Sequence, residues 1–317
     1  MKHGFAKWIG SAVVLCAVVL VALSVGSERL SLFDLSGAQA AIFFDIRMPR
    51  VLLAACVGAS LAVAGAALQA LLRNPLAEPY LLGVSNGAAL GTMLAFVFFE
   101  QFLFARPLLA YAGAGLATFV VYQMARSRAG MNVERLVLSG VIVTTFLSSI
   151  IVLLTSLLDA ARLRGFTFWL LGDLSQATMN GFYLTLVASV IGTIVLTAQA
   201  RPLNLMMIGE RDALDFGVET SRVRLIVFAM ASLLVGTAVA ASGSVGYVGL
   251  IVPHLVRLAI GSDNRNVIPI SAFAGAIFVV LADMFARTAI APRELPVGAI
   301  TALIGAPMFI YLLRRSN

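Results

Sequence analysis

The stretch VGASLAVAGAALQALLRNPL, Val57–Leu76, decides the fold because a similar stretch returns 178 residues later as VGTAVAASGSVGYVGLIVPH, Val235–His254. Gly58 falls on Gly236, Ala62 on Ala240, Gly65 on Gly243 and Pro75 on Pro253. The register continues to Gly83 on Gly261 and Asn86 on Asn264. Both stretches are apolar and are interrupted by Gly and Pro at matching places. In a membrane chain that pattern points to two repeats packed around a transport path. The glycines also read as packing positions, since small residues let helix backbones approach.

Outward from these segments the chain is apolar almost throughout. It is 61% hydrophobic and 12% charged, with a mean hydropathy of +1.00. A soluble domain is nearer half apolar and a quarter charged. The net charge of +7 is better explained by loop arginines that set membrane topology than by nucleic acid. Cys16 and Cys56 lie in apolar spans and read as buried, inert thiols. His3 and His254 are too few and too far apart for a metal site. Lys2 and Lys7 precede an apolar run, Trp8 to Gly26, and Ala22-Leu23-Ser24 is a weak cleavage site. That run is long for a signal peptide, so an uncleaved first span is expected.

A helix needs roughly 20 residues to cross a bilayer. Ten crossings are expected, near 8–26, 50–72, 82–99, 107–125, 136–158, 181–200, 224–243, 246–260, 267–286 and 296–313. The stretch 159–180 mixes charges with an apolar centre. It reads as a loop plus a short interfacial helix, with Trp169 near the boundary. With the N-terminus inside, fourteen of the 22 Lys and Arg fall on the inner side, among them Arg73, Arg128, Arg211 and Arg224. Eight fall outside, among them Arg29, Arg47, Arg50, Arg106, Arg287 and Arg293. This balance sets both termini in the cytoplasm. The second span then runs inward and the seventh outward, so the repeat is inverted. The fold expected is an all-α polytopic membrane protein, one domain over 1–317. Its repeat halves run near 47–158 and 224–313, with a cytoplasmic loop at 201–224.

Carriers driven by an ion gradient place carboxylates or broken-helix carbonyls at mid-membrane. Here Asp283 and Glu100 lie near span ends and Asp173 in the interfacial stretch, and they form no evident relay. The sequence has no P-loop and no hydrolase spacing, so the chain is not expected to hydrolyse ATP. Its energy must then come from a partner. The loop RPLNLMMIGERDALDFGVETSRVR, Arg201–Arg224, suits one. Met206, Met207, Leu214 and Phe216 alternate with charges, and Gly209 and Gly217 divide it into two short helical pieces. Such a pair can dock in a partner's groove or lie on the membrane as a solvated loop.

Several long motifs in order carry a resemblance. They are RMPR (Arg47–Arg50), GAALQALLRNPLAEPYLLGVSNGAALG (Gly65–Gly91), the IGERDALDFGV loop, SVGYVGLIVPHLVR (Ser244–Arg257), ADMFAR (Ala282–Arg287) and ELPVGAITALIGAPMFIYLL (Glu294–Leu313). Over nearly its whole length the chain resembles the permeases of type II ABC importers, the FecCD/BtuC-like family, which carry ferric siderophores, haem and cobalamin. The resemblance implies a ten-helix subunit of a dimer, a homodimer by preference, in the bacterial inner membrane. It implies two cytoplasmic ATPase subunits below and a periplasmic substrate-binding protein above. It implies no cofactor on this chain, with ATP and Mg bound by the ATPase subunits.

The resemblance also assigns residues. Arg47, Arg50 and Arg287 match outward arginines that pair with carboxylates of the binding protein, a geometry suited to charge-assisted docking. On the residues alone, local pairing is the simpler reading: Asp283 and Arg287 are spaced i, i+4, and Asp45 sits beside Arg47. Gly209, Glu210, Arg211, Asp212, Asp215 and Gly217 match the ATPase coupling loop. Asn74 and Leu76 of the NPL motif, with Val133 and Glu134, match the inner gate. Val133-Glu134 departs from the small polar pair of the cobalamin member, and Asn74-Pro75 alone is also an ordinary helix stop. NPLAEP and GVSNGA are close to the cobalamin member, but siderophore and haem permeases share most of this pattern. An ion-coupled secondary transporter is the competing reading.

Overall fold

The computed structural model describes residues 2–26, 37–99, 101, 102, 104–127 and 130–315. Arg29, Glu100 and Arg128 lie outside the described residues. The chain opens with α1 (Lys2–Ser24) and a short α2 (Ala38–Ala41), which runs through a π-helical turn (Ile42–Arg47) into α3 (Met48–Leu71). A 3-10 turn (Pro79–Leu82) leads to α4 (Val84–Phe98), then α5 (Ala105–Ala125). Strands β1 (Arg126–Ser127) and β2 (Gly130–Met131) form a small hairpin before α6 (Val133–Thr155). The short helix α7 (Ala160–Leu170) and α8 (Met179–Ala198) follow. The two pieces α9 (Ala200–Ile208) and α10 (Glu210–Asp215) precede α11 (Thr220–Ser242). The last elements are α12 (Val248–Ile260), α13 (Asn264–Thr288) and α14 (Val297–Arg315).

The ten expected crossings correspond to α1, α3, α4, α5, α6, α8, α11, α12, α13 and α14, with edges shifted by a few residues. Six of the helical stretches are long and apolar enough to cross a bilayer, and the others are shorter apolar helices. With 13 residues, α12 is only about 20 Å long at ~1.5 Å per residue, too short for a ~30 Å hydrocarbon core. Asp159 caps α7 by accepting the Arg162 amide at 2.9 Å. Trp169 near its end stacks on Phe166 at 6.3 Å.

Helix α3 is the centre of the bundle. Of its most apolar 18-residue stretch 83% is buried, against 28% in α5 and α6. A helix apolar all round belongs inside. Its glycines explain how close its neighbours come. A Cβ on Gly58 would stand 2.1 Å from the Gly275 carbonyl oxygen of α13, and one on Gly65 would stand 1.9 Å from that of Gly249 in α12. Pro49 in the first turn of α3 cannot donate an amide to the preceding turn. That turn is widened, and the Met48 amide reaches back to the Phe43 carbonyl. Cys56 is buried, but Cys16 is exposed on α1, where the apolar span alone suggested burial.

The repeat is visible in the elements: long, short, long, long in α3–α6 and again in α11–α14. Its halves point in opposite directions. Arg50 at the start of α3 pairs with Glu294, just before α14. Ser242 at the end of α11 joins the same face, accepting the Asp173 amide at 2.8 Å, while Gly172 accepts the Val297 amide at 3.0 Å. The residue register of 178 has a narrower range. α11 stops at Ser242, the partner of Ala64 in the middle of α3. Beyond that point Pro75 lies after a helix while Pro253 lies inside α12, and Gly83 precedes a helix while Gly261 ends one. Asn86 lies within α4, while Asn264 opens α13.

Candidate functional site

Where α3 begins and α13 ends, three arginines are buried together: Arg47, Arg50 and Arg287 are 5%, 6% and 4% exposed. Arg50 donates from Nε to Asp283 at 2.9 Å and from Nη1 to Glu294 at 2.7 Å. Arg287 lies 3.0 Å from the other oxygen of Asp283, so the i, i+4 ion pair does form. Arg47 donates to the carbonyls of Leu23 and Ser24 at 3.1 and 3.3 Å, and Arg287 to that of Ala22 at 3.3 Å. These are the last carbonyls of α1, which lack helical partners and carry the negative end of the helix dipole. The three arginines therefore fasten α1 to α3 and α13. Beside them a cavity of about 580 Å³ opens between α4, α5 and α7, lined by Arg106, Arg164, Phe168, Trp169, Asp173 and Glu294. The Arg106 guanidinium sits 4.2 Å over the Phe96 ring there.

Midway along α3 the two chain breaks meet. Residues 73–81 join the second and third expected crossings and read as an inner loop, but 77–80 tuck back against 245–250. Tyr80 Oη donates to the Val245 carbonyl and accepts its amide, both at 2.9 Å. Glu78 accepts the Tyr247 amide at 3.0 Å. Gln69 donates to the carbonyls of Gly249 and Leu250 at 3.3 and 3.0 Å, and its own oxygen accepts from Arg257. Backbone groups released by broken helices must find partners inside the protein, and here side chains of the first break, with Gln69 of α3, satisfy the backbone of the second. Glu78 is the carboxylate that span-counting misses. The clustering of Pro75, Pro79 and Gly83 around it is the signal for a re-entrant turn.

At the opposite end of the bundle Asn74 and Leu76 stand exposed after α3, where the Asn74 side chain accepts the Leu76 amide at 2.9 Å. Val133 and Glu134 begin α6, half-buried and exposed respectively. The 201–224 loop folds as two helices. Arg211, Asp212 and Asp215 are exposed. So are Ile208, Leu214 and Phe216, whereas Met206 turns into the core and Met207 packs against it. Gly217 closes α10 with φ +78°, its amide bonding Leu214 and that of Val218 bonding Ala213. That is a Schellman cap, which favours glycine at the left-handed position. Asn204 ties α9 to α13, donating to Asp263 at 2.7 Å and accepting from Asn264 at 2.8 Å. Among the described residues no three of His, Cys, Asp and Glu gather as a metal site.

Sequence and structure comparisons agree with this architecture. The chain is 43% identical over 85% of its length to the cobalamin import system permease protein BtuC of Halobacterium salinarum, covering 72% of that protein. It is 38% identical over 95% of its length to the hemin transport system permease protein HmuU of Yersinia pestis, covering 94% of it. Among solved structures, a metal-chelate type ABC transporter in an inward-facing conformation aligns with a TM-score of 0.88 and 32% identity. That alignment covers 97% of this chain and 98% of the other. The model of the FecCD transport family matches residues 14–315, and this chain, a multi-pass membrane permease, belongs to that family.

Proposed function

We propose that this chain is the membrane permease of an ATP-driven importer that carries a metal chelate, a ferric siderophore, haem or cobalamin, from a periplasmic binding protein to the cytoplasm. The likeness to a metal-chelate transporter over almost the full length of both chains carries the reading. The whole chain acts as one permease domain in the bacterial inner membrane with both termini cytoplasmic, paired with a second permease subunit, by preference an identical one. ATP and Mg belong to two cytoplasmic ATPase subunits. These meet the exposed face of α9 and α10, where Gly209, Glu210, Arg211, Asp212, Asp215 and Gly217 shape the contact. Asn74, Leu76, Val133 and Glu134 form the inner gate.

Arg47, Arg50 and Arg287 are the proposed anchor for the binding protein. Their gathering at the end of the bundle opposite α9 and α10 supports it. Because they are buried, docking requires partner carboxylates to exchange with Glu294, whose side chain is 41% exposed. Glu78 gives the ion-coupled carrier its one specific support, a carboxylate at the meeting of two broken helices. Uptake by liposomes that hold permease, ATPase and binding protein decides between them. Cyanocobalamin, haem and a ferric hydroxamate are offered in parallel, with ATP or with an ion gradient. ATP-dependent uptake of one of them, requiring both partners, is expected. Gradient-driven uptake by the permease alone overturns the importer reading.

A further inference from the structure

One side chain connects the helices at 201–215 to the start of α6. Arg224 lies in the second turn of α11, with its side chain only 12% exposed. Its Nη1 donates to the Met131 carbonyl at 2.9 Å, and its Nη2 pairs closely with Glu210, the first residue of α10. Met131 closes the β1–β2 hairpin, in which Arg126 pairs with Met131 and Ser127 with Gly130. The next residue, Asn132, caps α6 by accepting the Arg135 amide at 3.0 Å, while its own amide bonds Ala125 at the end of α5. Met131 itself is buried. The hairpin is therefore continuous with the first turn of α6, which carries Val133 and Glu134.

A guanidinium is a planar, rigid fork whose donors diverge at fixed angles. One fork here holds two elements far apart in sequence, Glu210 at 14 residues and Met131 at 93. The rest of the module is anchored elsewhere, because α9 is fixed to α13 through Asn204. Between α9 and α10 stands Gly209, in extended backbone. Gly209 separates α10 from the anchored α9, and Arg224 spans from α10 to the hairpin.

We propose that Arg224 is a positioning residue that passes a displacement of α10 to the β1–β2 hairpin, and so to Val133 and Glu134. The proposal rests on the reading of 201–224 as the ATPase contact. The test uses the complete complex in liposomes, with spin labels at Arg126→Cys and Leu214→Cys in a background lacking Cys16 and Cys56. With Arg224 present the two labels move together, and their separation stays constant when ATP is added. In Arg224→Ala the separation changes on ATP, and ligand taken up per ATP hydrolysed falls at least tenfold while hydrolysis continues. Glu210→Gln removes only one arm and gives the same uncoupling in milder form, should Arg224→Ala fold poorly. An unchanged separation with wild-type uptake per ATP in both variants overturns the proposal. So does an equal fall in uptake and hydrolysis, the mark of a merely structural arginine. Replacing Arg211 and Asp212 with alanine, which leaves Glu210 and the bridge in place, separates the two levels. If that replacement uncouples transport while the Arg224 variants do not, the bridge alone is wrong. If it leaves assembly and coupling intact, the ATPase-contact reading falls.

Discussion

Where α3 begins and α13 ends, Arg50 and Arg287 share Asp283, Arg50 also meets Glu294, and Arg47 and Arg287 reach the terminal carbonyls of α1. Asp283 is the keystone because it meets two arginines and is 1% exposed. Removing one partner of a buried ion pair costs roughly 3–5 kcal/mol, since the other charge stays buried without compensation. Asp283→Ala should therefore lower the thermal midpoint of the detergent-solubilised protein sharply, while Glu294→Gln, at the exposed edge, should lower it little. If the binding protein docks on Arg50, Glu294→Gln should also tighten docking several-fold, measured by titration with the purified binding protein. Unchanged affinity would separate Arg50 from docking. The sequence shows these arginines plainly but not their burial, because the partners of Arg50 lie 233 and 244 residues away.

Among the elements, the α3–α13 and α3–α12 crossings depend on bare backbone. A methyl group at Gly58 or Gly65 would meet main-chain oxygen, which cannot rotate aside. Overpacking of this kind costs about 1–3 kcal/mol or more. Gly58→Ala and Gly65→Ala should each reduce the monodisperse fraction on size-exclusion chromatography, whereas Gly115→Ala, which faces open space, should not. The long helices are legible from hydropathy alone because each is a continuous apolar run. The tuck at 77–80 is not, since its stability comes from Tyr80, Glu78 and Gln69 meeting a segment some 165–181 residues away. A residue register likewise finds α3 and α11 but fails past Ser242, because the two breaks fall at different points along the matched stretch.

Across the whole molecule, apolar side chains such as Leu116 on α5, Phe146 and Leu153 on α6 and Ile194 on α8 face outward at 63–71% exposure. They form an apolar surface suited to lipid. A lysine at a lipid-facing helix centre costs about 2.5–3.5 kcal/mol on the insertion scale. Phe146→Lys should accordingly cut the yield of membrane-inserted protein, read by the folded fraction after extraction. A normal yield would mean that this part of α6 faces water. The arginine cluster also bears on how the protein is made. Arg50 emerges from the ribosome 233 residues before Asp283, about ten to fifty seconds at ~5–20 residues per second. Throughout that interval the growing chain holds a guanidinium whose carboxylate partners do not yet exist, and α1 waits for Arg287 to fasten its end. Completion of the last third of the polypeptide is therefore what seals the first, and a nascent chain that stalls before α13 exposes an uncompensated charge by which membrane quality control can recognise it as unfinished.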